Sequence, residues 1–568
     1  MAEKKEREHK KWMVIVYMAG DNNLSESMAG AFKDFGQSFS RAKTGNEVAV
    51  LVYFDGSAFE TPTYFCDFTN VNDPIINGMP DCDSSDARSL GEFFGWCQEK
   101  YTADQHILFL SGHSDGFTGI TLFKDDSTGK AMQLKYLKLT LENAMQANRF
   151  GKPFDIICFD SCVMSLVEIA FELRKVTKIL IASQGFIPMT GLNYRNALYD
   201  VMNDPDIPPD CFAVGIVEWY IQSQGVFAAG GRSVTLSACR LDEYTDSDKK
   251  YHDEHHGKYV PIEMLADKIN ELGKLLLEKL DPDKVFKKVY DAVGKTEEKT
   301  LFDQFYEKSD ALELLRRALV FSQWNAQSFL FDQNIDIIDF CFWLESECRF
   351  YGARFDEIRD VCEKIRYYAE RCVITRLSRG TDYQQAQGIS LFFPWTYMSF
   401  AVSAQPYRKL EIFKDRKNNW NKFLRMYLTK ITATKHLSRI GLGILYSKLD
   451  ELVKKDNTKN GNVKELLENT AALLNGVKHD AKVELAAPNI QDQFKHGDQV
   501  RNGDQVRNGD QVRNGDQVRN GDQVRNGDQV RIMQFNAYMS FFSRFKNMPP
   551  IPLEEIEFDL KHAGRDGS

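Results

Sequence analysis

The sequence predicts an α/β fold, a mostly parallel sheet with flanking helices, followed by a mainly helical C-terminal region. Three observations carry that expectation. Short, near-continuous apolar runs recur through roughly the first 240 residues, as expected of strands buried on both faces. Helical segments alternate with them, the pattern of crossovers that join parallel strands. Two runs, HILFLSGHSDGF (106–117) and FDIICFDSCVMS (154–165), deliver His113 and Cys162 at their carboxyl ends, where ligands and chemistry collect in open α/β sheets.

The elements follow in order. WMVIVYMAG (12–20) is a strand, and DNNLSESMAGAFKDFGQ is a helix for which Asp21 and Asn22 are capping candidates. NEVAVLVYFDG (46–56) is the second strand. After a polar, irregular stretch, DARSLGEFFGWCQEKY (86–101) places its apolar residues on one helix face. The His113 strand follows, then the helix 133–148 and the Cys162 strand. LVEIAFELRKV (166–176) reads as a helix that leaves the cysteine at once, and 178–186 and 232–241 are further strands.

From about 261 to 380 the period changes to 3.6, one strand returns at GISLFFPW (388–395), and 410–475 is again helical. The expected division is 1–245, catalytic; 246–430, a helical extension with the returning strand; and 431–495, a helical segment. HGDQVR (496–501) is then followed by five copies of NGDQVR ending at Arg531. Each copy has a single apolar residue, too little buried surface to offset chain entropy, so 496–531 reads as a disordered linker whose ends lie on the order of 30 Å apart. A tail, 532–568, completes the chain.

Composition excludes several classes. A hydrophobic share of 43% with 27% charged residues is that of a globular protein. The formal charge of −9, without a dense basic block in the folded region, argues against a nucleic-acid binder. No run approaches the ~18 apolar residues of a membrane span. Eleven scattered cysteines, many within apolar runs and none in a C-x-x-C pair, read as free thiols of a cytoplasmic protein, with no structural zinc. The cluster His252-Asp253-Glu254-His255-His256 lies in a polar stretch and reads as exposed linker, not as a metal site.

A thiol and an imidazole at adjacent strand ends are the parts of a cysteine nucleophile and its base. Gly112-His113-Ser114-Asp115-Gly116 also matches the G-x-S-x-G elbow of serine hydrolases, with Ser114 as nucleophile. That motif needs a helix directly after the turn, and FTGITLFKDDSTG is a poor helix. A helix beginning directly after Cys162 would lower its thiol pKa and aim N–H groups at an oxyanion. Asp160 has a plain reading as a helix cap, and Cys158 as a buried, inert thiol.

The chain resembles the clostripain family of cysteine peptidases, in the wider caspase-like group. The resemblance rests on Tyr17-Met18-Ala19-Gly20-Asp21-Asn22-Asn23-Leu24, the strand ending on His113, and Phe159-Asp160-Ser161-Cys162. Ala182-Ser183-Gln184, Thr190-Gly191 and Tyr194 add to it, as do Gly388 to Pro394 and Trp420 to Leu424. It implies a caspase-like sandwich and a protein or peptide substrate. Cys162 would be the nucleophile, His113 the general base and acid, and N–H groups near Ser114 and Cys162 the oxyanion hole. It requires no third triad member and no cofactor. It places Asp160, Gln184 and Thr190 at the substrate, and implies cleavage after Arg or Lys, although 187–193 carries no acid where relatives often do. Ser114 also departs from the glycine that usually follows the histidine. Some relatives cut themselves between the two strands and some depend on calcium, which by analogy makes Lys124 and Lys130 candidate self-cleavage sites and Asp125 and Asp126 candidate calcium ligands. The alternative is an inactive peptidase-fold module that binds or regulates.

Overall fold

The computed structural model describes residues 7–431 except 39–46, 58–62, 71–73, 147–148, 226–231, 248–249, 252–253, 255–256, 293–297, 330–332 and 415–417, with parts of 445–472. The repeat array, the tail and most of 431–495 lie outside the described residues, as do all of the 252–256 cluster but Glu254, which pairs with Lys268 and Lys364.

The chain opens with β1 (Glu8–Gly20), α1 (Ser25–Ser38), β2 (Val48–Gly56), β3 (Thr63–Asp67), β4 (Ile75–Met79) and α2 (Ala87–Lys100). It continues through β5 (Tyr101–Ser111), α3 (Leu134–Ala144), β6 (Phe154–Asp160), α4 (Val167–Leu173), β7 (Thr177–Ala182), α5 (Tyr194–Asn203), α6 (Pro209–Ser223) and β8 (Val234–Arg240). After a small hairpin of β9 (Tyr244–Thr245) and β10 (Lys258–Tyr259) come α7 (Pro261–Leu280) and α8 (Glu298–Asn325). Then follow β11 (Ser328–Phe329), β12 (Asn334–Asp336), α9 (Ile337–Phe350), α10 (Asp356–Cys372), β13 (Val373–Arg379), β14 (Ser390–Phe392), α11 (Tyr397–Arg408) and α12 (Asn419–Met426).

Nine strands form one sheet in the order β13-β8-β7-β6-β5-β1-β2-β3-β4. The five central strands, β7-β6-β5-β1-β2, are parallel, and the pairs outside them are antiparallel. The result is the caspase-like α/β sandwich that the resemblance implies. Alternation divides each central strand between two cores. Met13, Ile15 and Tyr17 of β1 face one cluster with Leu108 and Leu110 of β5, whereas Trp12, Val14 and Val16 face the other with Ile107 and Phe109.

Four features depart from the sequence reading. β3 and β4 form within the stretch expected to be irregular, and β4 is an exposed edge without an apolar run to announce it. β8 runs antiparallel, and β13, inside a region expected to be helical, pairs with it. The returning strand, β14, belongs to a separate three-stranded sheet with β11 and β12. The expected boundary at residue 245 does not separate two bodies. β13 completes the main sheet, and one apolar core runs from Met13 to the C-terminal helices. Among the described residues no helix is long and apolar enough to cross a membrane.

Candidate active site

Parallel pairing brings together the strand ends that carry His113 and Cys162. Ser111 of β5 pairs with Asp160 of β6, and each reactive residue lies two positions beyond its member of that pair. Gly112 extends the pairing by one bond, its N–H donating to Asp160 O at 3.3 Å. A Cβ there would lie 2.9 Å from the Phe123 ring and 3.4 Å from Ala19, so the strand end passes too close to its neighbours for a side chain.

The His113 carbonyl accepts from Phe123 N at 2.9 Å, and Nε2 hydrogen-bonds Asn23 Oδ1 at 2.5 Å. An amide oxygen only accepts, so Nε2 carries the proton and Nδ1 is the basic nitrogen. Burial pushes the imidazole down to about 4, a nearby Asp126 opposing and Lys124 assisting. His113 is therefore neutral at neutral pH.

Cys162 Sγ accepts from Ile187 N at 3.3 Å and lies 3.8 Å from Ile187 O. Burial pushes the thiol up to about 11, with the Ile187 N–H bond opposing. The sequence expectation of a helix starting at once after the cysteine is corrected here. α4 begins at Val167, and Cys162 sits in a turn whose next residue, Val163, has φ 59°. A β-branched residue in that region is strained by about 1–3 kcal/mol, held by Val163 N donating to Gly185 O at 2.9 Å. With no helix N-terminus to stabilise the thiolate, the resting pair is a neutral thiol and a neutral imidazole. The two side chains do not hydrogen-bond one another.

Ser114 is buried, donates to Met164 Sδ at 2.7 Å and accepts from Gly116 N at 3.1 Å. Only a three-residue 3₁₀ turn follows it, so the serine-elbow architecture is absent. Its φ is not left-handed, so the departure from glycine brings no backbone strain. Among the described residues, no acceptor takes the backbone N–H of Ser114 or of Cys162.

Asp160 is buried beneath the loop 187–193. Its Oδ2 accepts from Ser111 Oγ and Tyr194 Oη, both at 2.9 Å, and its Oδ1 accepts from Leu192 N at 3.1 Å. Burial raises its pKa against those three bonds. It anchors the loop instead of capping a helix. Thr190, exposed on that loop, bonds Gln224 Oε1 at 3.3 Å. Gln184 is placed differently from its expected role at the substrate. It is fully buried, its Nε2 donating to Asp336 (2.9 Å) and Ser390 (2.8 Å) and its Oε1 accepting from Gly388 N (2.8 Å). Its amide joins β7 to the small sheet, with Nε2 and Oε1 both engaged in the interior.

The calcium candidates do not converge. Asp125 is buried, bonded by Ser84 N at 3.1 Å and Thr128 N at 2.8 Å, while Asp126 pairs with Lys124. Among the described residues no group of three or more His, Cys, Asp or Glu is arranged to hold a metal ion. Sequence reasoning missed the site's contact at Asn23, although that residue lies in the turn that carried the resemblance. It also missed Ile187, because a main-chain partner leaves no mark on residue type.

Residues 16–249 match the model of the clostripain family, Peptidase_C11. Among solved structures the chain is similar to a secreted C11 cysteine protease from Bacteroides thetaiotaomicron in complex with an irreversible peptide inhibitor. The identity is 16% over 72% of this chain and 99% of that one, with a TM-score of 0.47. It is also similar to an inactive zymogen C11 protease from Parabacteroides distasonis, at 16% identity over 72% and 98% of the chains and a TM-score of 0.48. A comparison with curated proteins finds no match. The family model, not these structural likenesses, carries the assignment. The match spans both the strand that ends at His113 and the one that ends at Cys162, so residues 16–249 of this chain are similar to the clostripain family of cysteine peptidases.

Proposed function

We propose that the protein is an endopeptidase that cleaves after Arg or Lys through Cys162 and His113. The observation that carries this reading is the placement of thiol and imidazole two residues beyond one paired position on adjacent parallel strands. A bound peptide would present its carbonyl to Cys162 Sγ while His113 takes the thiol proton, so that charge separates only as the C–S bond forms. The N–H groups of Ser114 and Cys162 would receive the oxyanion. His113 would then pass its proton to the leaving amine, and water would release the acyl group from sulfur. Asp160 supports basic specificity as a buried carboxylate beside the nucleophile.

Self-cleavage at Lys124 or Lys130 belongs to the same proposal. Both flank a tight turn closed by Asp125 N donating to Lys130 O at 3.0 Å, so cutting there requires the turn to open. A cytoplasmic location is proposed on the eleven free thiols.

The inactive-module reading keeps one observation in its favour, the engagement of Cys162 Sγ by the Ile187 main chain. Purified protein assayed on Arg- and Lys-ended fluorogenic peptides separates the two. Turnover abolished in Cys162→Ala and retained in Ser114→Ala supports the peptidase. Loss in Ser114→Ala alone would turn the assignment to a serine hydrolase, and no turnover under reducing, calcium-supplemented conditions favours the module.

A further inference from the structure

Tyr220 is fully buried on α6, in the apolar cluster that holds Ile187, Leu192 and Tyr194 and against which Cys162 packs. Among the described residues its hydroxyl has no hydrogen-bond partner. A buried hydroxyl without a partner is rare and costly, and calls for a physical reason. Its surroundings supply one, since the hydroxyl lies within electrostatic reach of Asp160, Cys162 and Tyr383. One helical turn further on, Gln224 Nε2 donates to Gly191 O at 3.2 Å and Gln224 Oε1 accepts from Thr190 Oγ1 at 3.3 Å. The same helix therefore carries the unpaired hydroxyl and leads into the residue that holds the loop 187–193 at Thr190 and Gly191.

A guanidinium presents five donors and an ammonium three, whereas a carboxylate offers about four lone-pair sites. Three of those on Asp160 are already taken by Ser111, Tyr194 and Leu192. The loop 187–193 adds no acid. A basic side chain entering beside Cys162 thus needs a further acceptor. We propose that Tyr220 Oη is a specificity-determining group, forming with Asp160 the polar end of the pocket for the residue before the scissile bond and accepting from its guanidinium or ammonium. Entry requires the loop 187–193 to lift from Gln224, whose two bonds to it lie at the long end of the hydrogen-bond range. The proposal rests on Cys162 being a peptidase nucleophile.

The test is Tyr220→Phe in the full chain, compared with wild type on matched peptides ending in Arg, Lys or norleucine, together with thermal melting. The Arg-to-norleucine ratio of kcat/KM is expected to fall about tenfold or more, the loss of a hydrogen bond to a charged group, with no decrease in Tm. Wild-type turnover with an unchanged ratio in the variant would overturn the pocket role and leave the peptidase reading standing. A lowered Tm with all three substrates falling together would mark a structural hydroxyl, and also overturn it. Absence of turnover in wild type would sink both readings.

Discussion

Nε2 of His113 lies 2.5 Å from Oδ1 of Asn23, across 90 residues of chain, and this contact fixes which imidazole nitrogen is basic. Asn23 follows β1, the strand beside β5 in the sheet, so the sheet order itself brings the amide to the histidine. Asn23 is a positioning residue, acting on substrate only through the imidazole. Asn23→Ala is expected to lower kcat about tenfold, the worth of one hydrogen bond, with little change in KM. Asn23→Asp should restore kcat and move the acid limb of the pH profile upward, because a carboxylate beside the imidazole favours its charged form. Equal losses in both variants would refute the positioning role.

The pH profile follows from the neutral pair. His113 titrates near 4 and Cys162 near 11. Below the first value the imidazole is protonated and cannot accept the thiol proton, so kcat/KM falls toward acid. Between the two values both groups are neutral, and the profile is flat through neutrality. Iodoacetamide labelling of Cys162 should be slow at pH 7 and rise with pH toward about 11. Fast labelling at pH 6 would mean that a thiolate–imidazolium pair exists at rest.

Gln184 is expected to matter for stability. Gln184→Ala removes three buried hydrogen bonds, to Asp336, Ser390 and Gly388, and leaves Gly388 N without its acceptor, while Asp336 keeps its bonds from Gln387, Ile338 and Asp339 N. Losing these bonds costs about 3 kcal/mol or more, to be read as a lower midpoint in urea unfolding. A change below about 0.5 kcal/mol would contradict this placement.

Glu168 supplies a pH test of the joint between α4 and the C-terminal region. Its Oε1 accepts from Phe392 N at 3.0 Å and Tyr407 Oη at 2.8 Å, its Oε2 is unpaired among the described residues, and burial raises its pKa to about 7. The folded value exceeds that of the unfolded chain. The contribution is therefore fully present below about pH 4, near the ordinary glutamate value, and is lost as pH rises through about 7. Glu168→Gln cannot ionise and should lose less stability between about pH 4 and 7 than wild type. An identical slope in both proteins would show that other groups set it.

Much of the fold was legible in the sequence because its signals are local. Apolar runs such as VAVLVYF and FDIICF are strands for any chain that can cover both faces, and the 3.6 period of α7 needs only one apolar stripe. β4 escaped because its five residues are mostly exposed and interrupted by Asn77-Gly78. β13 escaped because its mixed polar and apolar residues occupy an edge, where burial is partial.

The sequence by itself determined that a thiol and an imidazole end two strands, and strand pairing then brought those two strand ends together. Only the tertiary structure decided their state. A helix start directly after Cys162 was locally plausible, but Ser165 Oγ donates to Gly388 O at 2.6 Å and Ser390 N donates to Ser165 O at 3.0 Å, tying that segment to β14 and delaying α4 to Val167. Asn23 reaches His113 from 90 residues away, and Gln184 reaches Asp336 across 152. Periodicity records which face of an element is buried. It carries no information about which distant backbone or amide group will meet a side chain there, and those meetings set the charge, the tautomer and the access of the reactive pair.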